Sequence, residues 1–246
     1  MSTTNYTLRK AATVVVVRDG EKGLEILLLK RSDQLEFAPG NWVFPGGSVD
    51  PQDAEGSAEE MDTLQAAAVR EAKEETGADL YTEDLTYFLQ FTTPGGKKRF
   101  ETWFFVAPIR HSTADITPDG SEIVEHRWID PAEAVNAFEQ GNMPIFVPTG
   151  LTLMRLSFYN SVEDLIRAFQ AAPPVKILPF VVKDGDDMIS LYPGDIAYED
   201  KNWEQPGPRH RSRISLKTGA WFYQHTADEE QYPRLDGGYN RNKYEL

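Results

Sequence analysis

The stretch Arg70-Glu71-Ala72-Lys73-Glu74-Glu75-Thr76-Gly77 decides how this sequence is interpreted. Glu71, Glu74 and Glu75 are spaced i, i+3 and i+4, so on an α-helix the three carboxylates share one face. Gly77 stands where a glycine ends a helix. Clustered carboxylates repel one another unless a cation lies among them, and hard divalent cations prefer oxygen ligands. The pattern alone is compatible with a metal site and with a solvated acidic helix face.

The chain around this helix alternates strand signals and turn signals. Six runs rich in β-branched, aromatic or aliphatic residues predict strands, at residues 11–17, 24–29, 42–44, 85–93, 99–108 and 122–129. Stretches containing glycine or proline predict turns at residues 19–23, 45–47 and 94–98. Asp130 and Pro131 predict the N-cap and first residue of a second helix, which ends at Gly141. This order of elements predicts an α/β fold.

The segment before the acidic helix leaves the start of that helix open. Residues 48–60 are acidic and loop-like. Ser57 with Glu60, or Asp62 with Gln65, has the spacing of a capping box, in which two side chains satisfy backbone N–H groups reciprocally. The sequence does not choose between these two pairs.

The composition changes near residues 144–150, and a different pattern follows. A helical pattern covers residues 151–171, with a break expected at 160–161. The later signals are strands at residues 175–182 and 188–192, and then irregular chain with strand-like patches at 213–223. We therefore expect a first domain over residues 1–146 and an α+β extension over residues 147–246 that packs on it.

The charge and composition exclude several classes of partner and site. The net charge is −14, from 25 basic and 39 acidic residues, which argues against binding nucleic acid and against docking on an anionic membrane. The absence of cysteine excludes disulfides, thiolate metal ligands and cysteine nucleophiles. The N-terminus lacks the apolar core of a signal peptide, and no run approaches the roughly 20 apolar residues of a membrane span. These features predict a cytoplasmic protein.

The acidic helix and its glycine turn resemble the signature of the Nudix hydrolases, Gly-x5-Glu-x7-Arg-Glu-U-x-Glu-Glu-x-Gly-U, where U is apolar. Residues 70–78 match the second half at every fixed position. The first half fits in two registers, Gly56-x5-Asp62 or Gly47-x5-Asp53, each with aspartate in place of glutamate. The second register keeps the Phe-Pro-Gly-Gly context of the family and requires an insertion before the helix. We prefer it for that reason.

This resemblance implies a Nudix fold, with a mixed β-sheet sandwiched between helices, and hydrolysis of a diphosphate that joins a nucleoside to another group. It implies that Mg²⁺ or Mn²⁺ is bound by Glu71, Glu74 and Glu75, with the main-chain carbonyl of Gly46 or Gly47 as a further ligand. Arg70 is then expected to orient Glu74.

A fourth carboxylate usually completes such a site. Glu122 is the first choice as metal ligand or catalytic base, Glu125 is the second, and Glu101 is a weaker alternative. Arg31, Trp42 and Phe44 are the expected substrate-binding residues, through phosphate contact and base stacking. Two further groups of basic side chains either bind a substrate anion or are solvated. They are Lys97 with Lys98, and the basic residues within 209–213.

The flanking sequence narrows the resemblance further. The spacing of residues 27–47 is similar to an extended motif of Nudix enzymes that cleave coenzyme A, but Glu36 replaces its arginine. An anion at a phosphate-facing position predicts poor cleavage of free coenzyme A. The insertion and long extension resemble bacterial relatives of the mammalian Nudix 19-type branch. The alternatives are coenzyme A or acyl-coenzyme A as substrate, a non-catalytic Nudix-fold sensor of nucleotide metabolites, and a homodimer formed through the extension.

Overall fold

The computed structural model describes residues 8–36, 38–57, 59–95, 99–110, 116–117 and 120–239. Its main sheet is mixed and runs in the order β3-β2-β1-β6-β5-β8, with β4 beside β1 and β7 beside β2. The strands are β1 (Leu8–Gly20), β2 (Gly23–Arg31), β3 (Trp42–Val43), β4 (Gly46–Ser48), β5 (Thr86–Thr92), β6 (Arg99–Pro108), β7 (Ile123–Ile129) and β8 (Val175–Ile177). Lys97 and Lys98, with part of the predicted turn at 94–98, lie outside the described residues.

The valine run of β1 is explained by its central place in this sheet. β1 pairs in parallel with β6 and antiparallel with β2, so both of its edges are occupied. Val15 and Val17 belong to one hydrophobic cluster, whereas Val14 and Val16 belong to another on the opposite face. A strand covered on both faces is expected to be continuously apolar rather than alternating.

Helices cover both faces, which confirms the predicted layers. The acidic helix α1 (Glu60–Thr76) packs Leu64, Ala67 and Ala72 into the cluster that contains Val14. The helices α2 (Pro131–Glu139), α3 (Val147–Leu156) and α4 (Val162–Ala171) contribute to the other cluster. The predicted break in the long helical pattern is confirmed, because α3 ends before Ser161 caps α4.

The helix termini agree only partly with the local signals. Asp130 caps α2, and Gly77 ends α1 with a φ of 73°, a left-handed conformation that glycine adopts without strain. Both capping boxes predicted for α1 are wrong, because Glu59 is the N-cap and makes no side-chain capping bond. A capping box forms instead between Asp50 and Asp53, on a short 3₁₀ turn at Pro51–Ala54.

One predicted turn and one predicted strand differ from the structure. The predicted turn at 45–47 includes the start of β4, because Gly46 and Gly47 pair with β1. The predicted strand at 175–182 divides at Pro179, which lacks the N–H that a sheet ladder requires. Its first part, β8, pairs in parallel with β5 of the main sheet.

The strand predicted at 188–192 and the strand-like patches predicted at 213–223 are present, but the C-terminal chain is more regular than expected. A second, antiparallel sheet runs in the order β12-β11-β10-β9. It consists of β9 (Phe180–Asp184), β10 (Asp187–Leu191), β11 (His210–Ser215) and β12 (Trp221–His225). Trp221 and Tyr223 pack into the same cluster as Val15 and α3. The two predicted domains therefore share one hydrophobic cluster, and a boundary at residue 146 stays a prediction.

The burial of His210 in this second sheet predicts that the folded protein loses stability in acid. The side chain is buried beside His225, and its Nδ1 lies 2.6 Å from the Pro193 carbonyl oxygen. Burial, with a smaller contribution from His225, lowers the pKa of His210 to about 4 despite that hydrogen bond. A histidine in the unfolded chain has a pKa of about 6.5. The contribution of His210 to the free energy of unfolding is therefore complete above pH 6.5. It decreases by roughly 3 kcal/mol as the pH falls towards 4.

We predict that His210→Asn flattens this pH dependence, since asparagine can donate to Pro193 but does not titrate. Urea denaturation of both proteins between pH 8 and pH 4 measures it. His126→Asn, on β7 of the other sheet, controls for loss of a histidine. An unchanged slope in His210→Asn would refute the prediction.

Candidate active site

The three glutamates of α1 differ sharply in their surroundings. Glu75 is 7 % exposed, and its Oε2 accepts a hydrogen bond of 2.9 Å from the Gly46 backbone N–H. The Glu71 carboxylate lies against Gly47, because a Cβ on that glycine would be 2.5 Å from its carboxylate carbon. The Glu74 side chain is 57 % exposed. The helix thus presents two carboxylates to the glycine turn and one to solvent.

Arg70 joins the carboxylates of this site. Its Nε and Nη2 donate to both oxygens of Asp53 at 2.8 and 3.0 Å. Its Nη1 donates to Glu71 at 2.9 Å and to Glu74 at 3.1 Å, while Nη2 also reaches the Ser48 carbonyl at 3.1 Å. The expected contact from Arg70 to Glu74 is therefore present, but Glu74 is one of three carboxylates that the guanidinium holds.

Asp53 is the buried partner of Arg70, a role that the sequence did not predict. It is buried, and it also accepts a hydrogen bond of 2.8 Å from the Asp50 backbone N–H. Burial opposes ionisation, but the hydrogen bonds from Arg70 and Asp50 outweigh it and lower the pKa of Asp53. Asp62, in the alternative register, is exposed on the first turn of α1. The Gly47-x5-Asp53 spacing is the sequence signal from which this partner of Arg70 could have been predicted.

Burial dominates the electrostatics of Glu75. Burial is the main cause that raises the pKa of Glu75 to about 8, and the charges of Glu71 and Glu122 raise it further. The Gly46 N–H and the charge of Arg31 act in the opposite direction. Burial likewise raises the pKa of Glu71. The surroundings of Glu75 therefore favour its protonated form, or the presence of a cation beside it.

Glu122 and Arg31 both act electrostatically on Glu75. The Arg31 Nη2 is 3.6 Å from the Glu122 Oε2, and both side chains influence Glu75. Glu125 instead contacts Arg127 at 3.1 Å and Lys30 at 3.9 Å. Glu101 accepts a hydrogen bond of 2.6 Å from Gln90. Of the three candidates for a fourth carboxylate, Glu122 is thus the one with a described influence on the glutamates of α1.

The two aromatic rings predicted to stack on substrate lie in the hydrophobic core. Trp42 and Phe44 are both buried in the hydrophobic cluster that contains Val15. Arg127 lies over the Trp42 ring, 4.9 Å from its centroid. Because these rings already fill the core, their positions argue against a role in base stacking.

The predicted basic patch at 209–213 is largely neutralised within the second sheet. Arg211 forms a buried two-pronged ion pair with Asp195. Arg213 pairs with Asp184 and with Asp187. These contacts give the two arginines structural roles and leave no support for the idea that they hold a substrate anion.

At Gly46 the site has no room for the Cβ of any other residue. The φ of Gly46 is 154°, and a Cβ there would lie 2.5 Å from the Ala12 carbonyl oxygen and 2.7 Å from the Thr13 Cα.

We predict that Gly46→Ala displaces β4, costs about 1–3 kcal/mol of stability and lowers activity, because the same residue donates to Glu75. Thermal unfolding and steady-state kinetics measure both effects. Gly56→Ala, where nothing lies within 4 Å, is the control for a glycine of positive φ. Equal activity in the two variants would contradict the prediction.

Comparison with known proteins gives a family match. The model of the NUDIX domain family matches residues 7–148. The protein described as nudix hydrolase 7 of Caenorhabditis elegans is 27 % identical over 241 residues, covering 83 % of this chain and 79 % of that protein. Acyl-coenzyme A diphosphatase NUDT19 of Homo sapiens is 32 % identical over 125 residues, covering 48 % of this chain but only 32 % of the human protein.

A solved structure agrees with this match. The crystal structure of a NUDIX hydrolase from Alicyclobacillus acidocaldarius superposes with a TM-score of 0.61 at 26 % identity, covering 69 % of this chain and all of that one. Within the described residues, no helix has the length and apolar character needed to span a bilayer.

Proposed function

Because the chain belongs to the Nudix hydrolases, a family that acts on diphosphate bonds and generally uses divalent metal ions, we propose that it hydrolyses the diphosphate of a nucleoside diphosphate linked to another group, with Mg²⁺ or Mn²⁺. The family resemblance, the α/β fold and the enzyme class predicted from the sequence are confirmed by these matches. The observation that carries the substrate and metal proposal is the group of three glutamates on α1, of which Glu71 and Glu74 accept hydrogen bonds from Arg70 and Glu75 accepts one from the glycine turn.

The donor set suits a hard cation, although its side chains do not converge as they stand. No three Asp, Glu or His side chains in the described part of the chain form a ready coordination shell. Glu71 is turned towards Arg70, and Glu75 towards the Gly46 N–H. Burial is the main cause of the raised pKa of Glu75, and a cation beside it would favour the ionised carboxylate. We propose that Glu71, Glu74 and Glu75, with the Gly47 carbonyl, hold the cation.

A bound divalent cation neutralises phosphate charge and lowers the pKa of an attacking water. Arg70 keeps the carboxylates in register and does not itself contact substrate. Glu122, whose side chain is 57 % exposed, would take the proton from that water. Arg31, 3.6 Å from Glu122, is placed to bind a phosphate oxygen of the substrate.

The descriptions of two relatives support a narrower substrate class. NUDT19 of Homo sapiens is described as an acyl-coenzyme A diphosphatase, and a Caenorhabditis elegans relative that is 35 % identical over 82 residues is described as a peroxisomal coenzyme A diphosphatase. Acyl-coenzyme A is therefore the second candidate for this chain. Glu36 is exposed in the loop after β2, and its charge still predicts poor cleavage of free coenzyme A. A cytoplasmic location and a homodimer stay predictions.

A substrate panel tests the proposal. The purified protein is incubated with ADP-ribose, NADH, dinucleoside polyphosphates, nucleotide sugars, coenzyme A and acyl-coenzyme A, each with Mg²⁺, Mn²⁺ or EDTA. Mass spectrometry should show one class cleaved at its diphosphate, and EDTA should abolish the reaction. Metal-independent turnover would refute the metal proposal. No cleavage of any diphosphate would refute the substrate class, and efficient cleavage of free coenzyme A would overturn the inference from Glu36.

A further inference from the structure

Two buried histidines lie side by side in the second sheet. His210 on β11 and His225 on β12 are cross-strand partners, and they are 3 % and 5 % exposed. Their ring centroids are 4.5 Å apart, with an interplanar angle of 67°. The backbone N–H and carbonyl of His210 bond to Asp195 and Tyr192. The two histidines therefore form a non-hydrogen-bonded pair, the kind in which cross-strand side chains are closest.

Main-chain carbonyls fix the tautomer of each ring. His210 Nδ1 lies 2.6 Å from the Pro193 carbonyl oxygen, and His225 Nε2 lies 2.8 Å from the Tyr232 carbonyl oxygen. Because a carbonyl oxygen only accepts, both of these nitrogens carry a proton. Burial is the main cause that lowers the pKa of both histidines, so both rings are neutral at pH 7. The other nitrogen of each ring therefore has a lone pair.

Neither lone pair has a hydrogen-bond partner within the described part of the chain. The two nitrogens, His210 Nε2 and His225 Nδ1, are both buried. Buried acceptors are ordinarily paired, so two unpaired ones in adjacent rings need an explanation. The other N–H of each ring is bonded to a carbonyl, which is the contact that orients metal-ligating histidines and raises their basicity. The pair therefore has the features of an imidazole metal site.

The surroundings of the pair restrict the kind of cation. Among the described residues, no group of three Asp, Glu or His side chains offers a larger coordination shell. Asp195, which acts electrostatically on His210, is already bonded to Arg211 through both carboxylate oxygens. Burying an ion is costly, and two neutral nitrogens do not offset a double charge. A singly charged ion that accepts two nitrogen ligands, such as Cu⁺, suits this donor set.

We infer that His210 Nε2 and His225 Nδ1 together bind one Cu⁺ ion. Such an ion would join β11 and β12 to the chain at Pro193 and at Tyr232. The site shares no residue with α1 or the glycine turn, so it is independent of the proposed hydrolysis. Binding should stabilise the folded protein, because a ligand that binds the native state raises its unfolding free energy.

Calorimetry and thermal unfolding of the full chain, under anaerobic conditions, test this inference with Cu⁺ and with redox-inert Ag⁺. Each ion should bind once per chain and raise Tm in a saturable way. Excess Mg²⁺ should not compete, since hard cations prefer oxygen ligands. Zn²⁺ should bind more weakly than Cu⁺, and equal or tighter binding of Zn²⁺ would overturn the assignment to a singly charged ion.

The variants His210→Asn and His225→Asn remove one lone pair each. Asparagine can still donate to the carbonyl that the histidine contacts, so the fold keeps that hydrogen bond. Each variant should lower the affinity for Ag⁺ by at least about 100-fold, the upper range for losing an outer-shell partner of a metal ligand. His126→Asn, on β7 of the main sheet, is the matched control and should bind as wild type. Unchanged affinity in either of the first two variants would overturn the inference.

Nitrogen NMR of the wild-type imidazoles keeps the test decisive if those variants do not fold. Ag⁺ should shift the resonances of His210 Nε2 and His225 Nδ1, while the nitrogens bonded to Pro193 and Tyr232 keep their protons. Shifts confined to other side chains would overturn the inference. Failure of both ions to bind would do the same, and would leave a bridging water as the partner of the two nitrogens.

Discussion

Glu74→Gln is expected to lower kcat by about 10²–10³-fold while leaving the fold intact. Glutamine has nearly the same shape as glutamate, but its neutral amide oxygen is a poor ligand for a hard cation. The side chain is 57 % exposed, and its described contact is the 3.1 Å hydrogen bond from Arg70. Stability therefore depends little on its charge, so the loss should appear in catalysis.

Steady-state kinetics over a range of Mg²⁺ concentrations measure this effect. The metal concentration for half-maximal rate should rise together with the fall in kcat, because the variant loses a ligand rather than a substrate contact. Glu60→Gln is a matched control, since Glu60 lies on the same helix, has a side chain that is also 57 % exposed, and pairs with Lys10. If Glu74→Gln retained the kcat of the control, Glu74 would be excluded from the metal site.

Arg70→Met is expected to lower the free energy of unfolding by about 3–5 kcal/mol. Asp53 is buried, and the guanidinium donates to both of its carboxylate oxygens. Methionine fills part of the same space but leaves this carboxylate buried without its partner. Removing one member of a buried ion pair costs more than the pair contributes, because the remaining charge has lost its hydration.

A double-mutant cycle with Asp53→Asn isolates this cause. The double variant should be more stable than the sum of the two single effects predicts, since the neutral amide no longer needs the cation. Arg110→Met is a control for loss of an exposed arginine that also pairs with two carboxylates, Glu83 and Asp84. It should have little effect on stability, because exposed ion pairs are screened by solvent. Additive effects of Arg70→Met and Asp53→Asn would show that the pair is not the source of the loss.

The sequence by itself determined the local features of this protein. The i, i+3, i+4 spacing places Glu71, Glu74 and Glu75 on one face of α1, and Gly77 ends that helix in the left-handed conformation. Asp130 caps α2 as its residue type predicts. These features depend on interactions within a few residues, so propensity and spacing suffice to predict them.

Only the tertiary structure decided which distant groups meet and which of them lose water. Asp53 and Arg70 are 17 residues apart, and Gly46 and Glu75 are 29 apart, yet each pair is hydrogen-bonded. Packing of the glycine turn against α1 buries Glu75 and leaves Glu74 in solvent, although both belong to one acidic pattern. Trp42, which was expected to stack on a substrate base, is instead buried in the hydrophobic core. Desolvation depends on the surrounding packed surface, which no local pattern encodes.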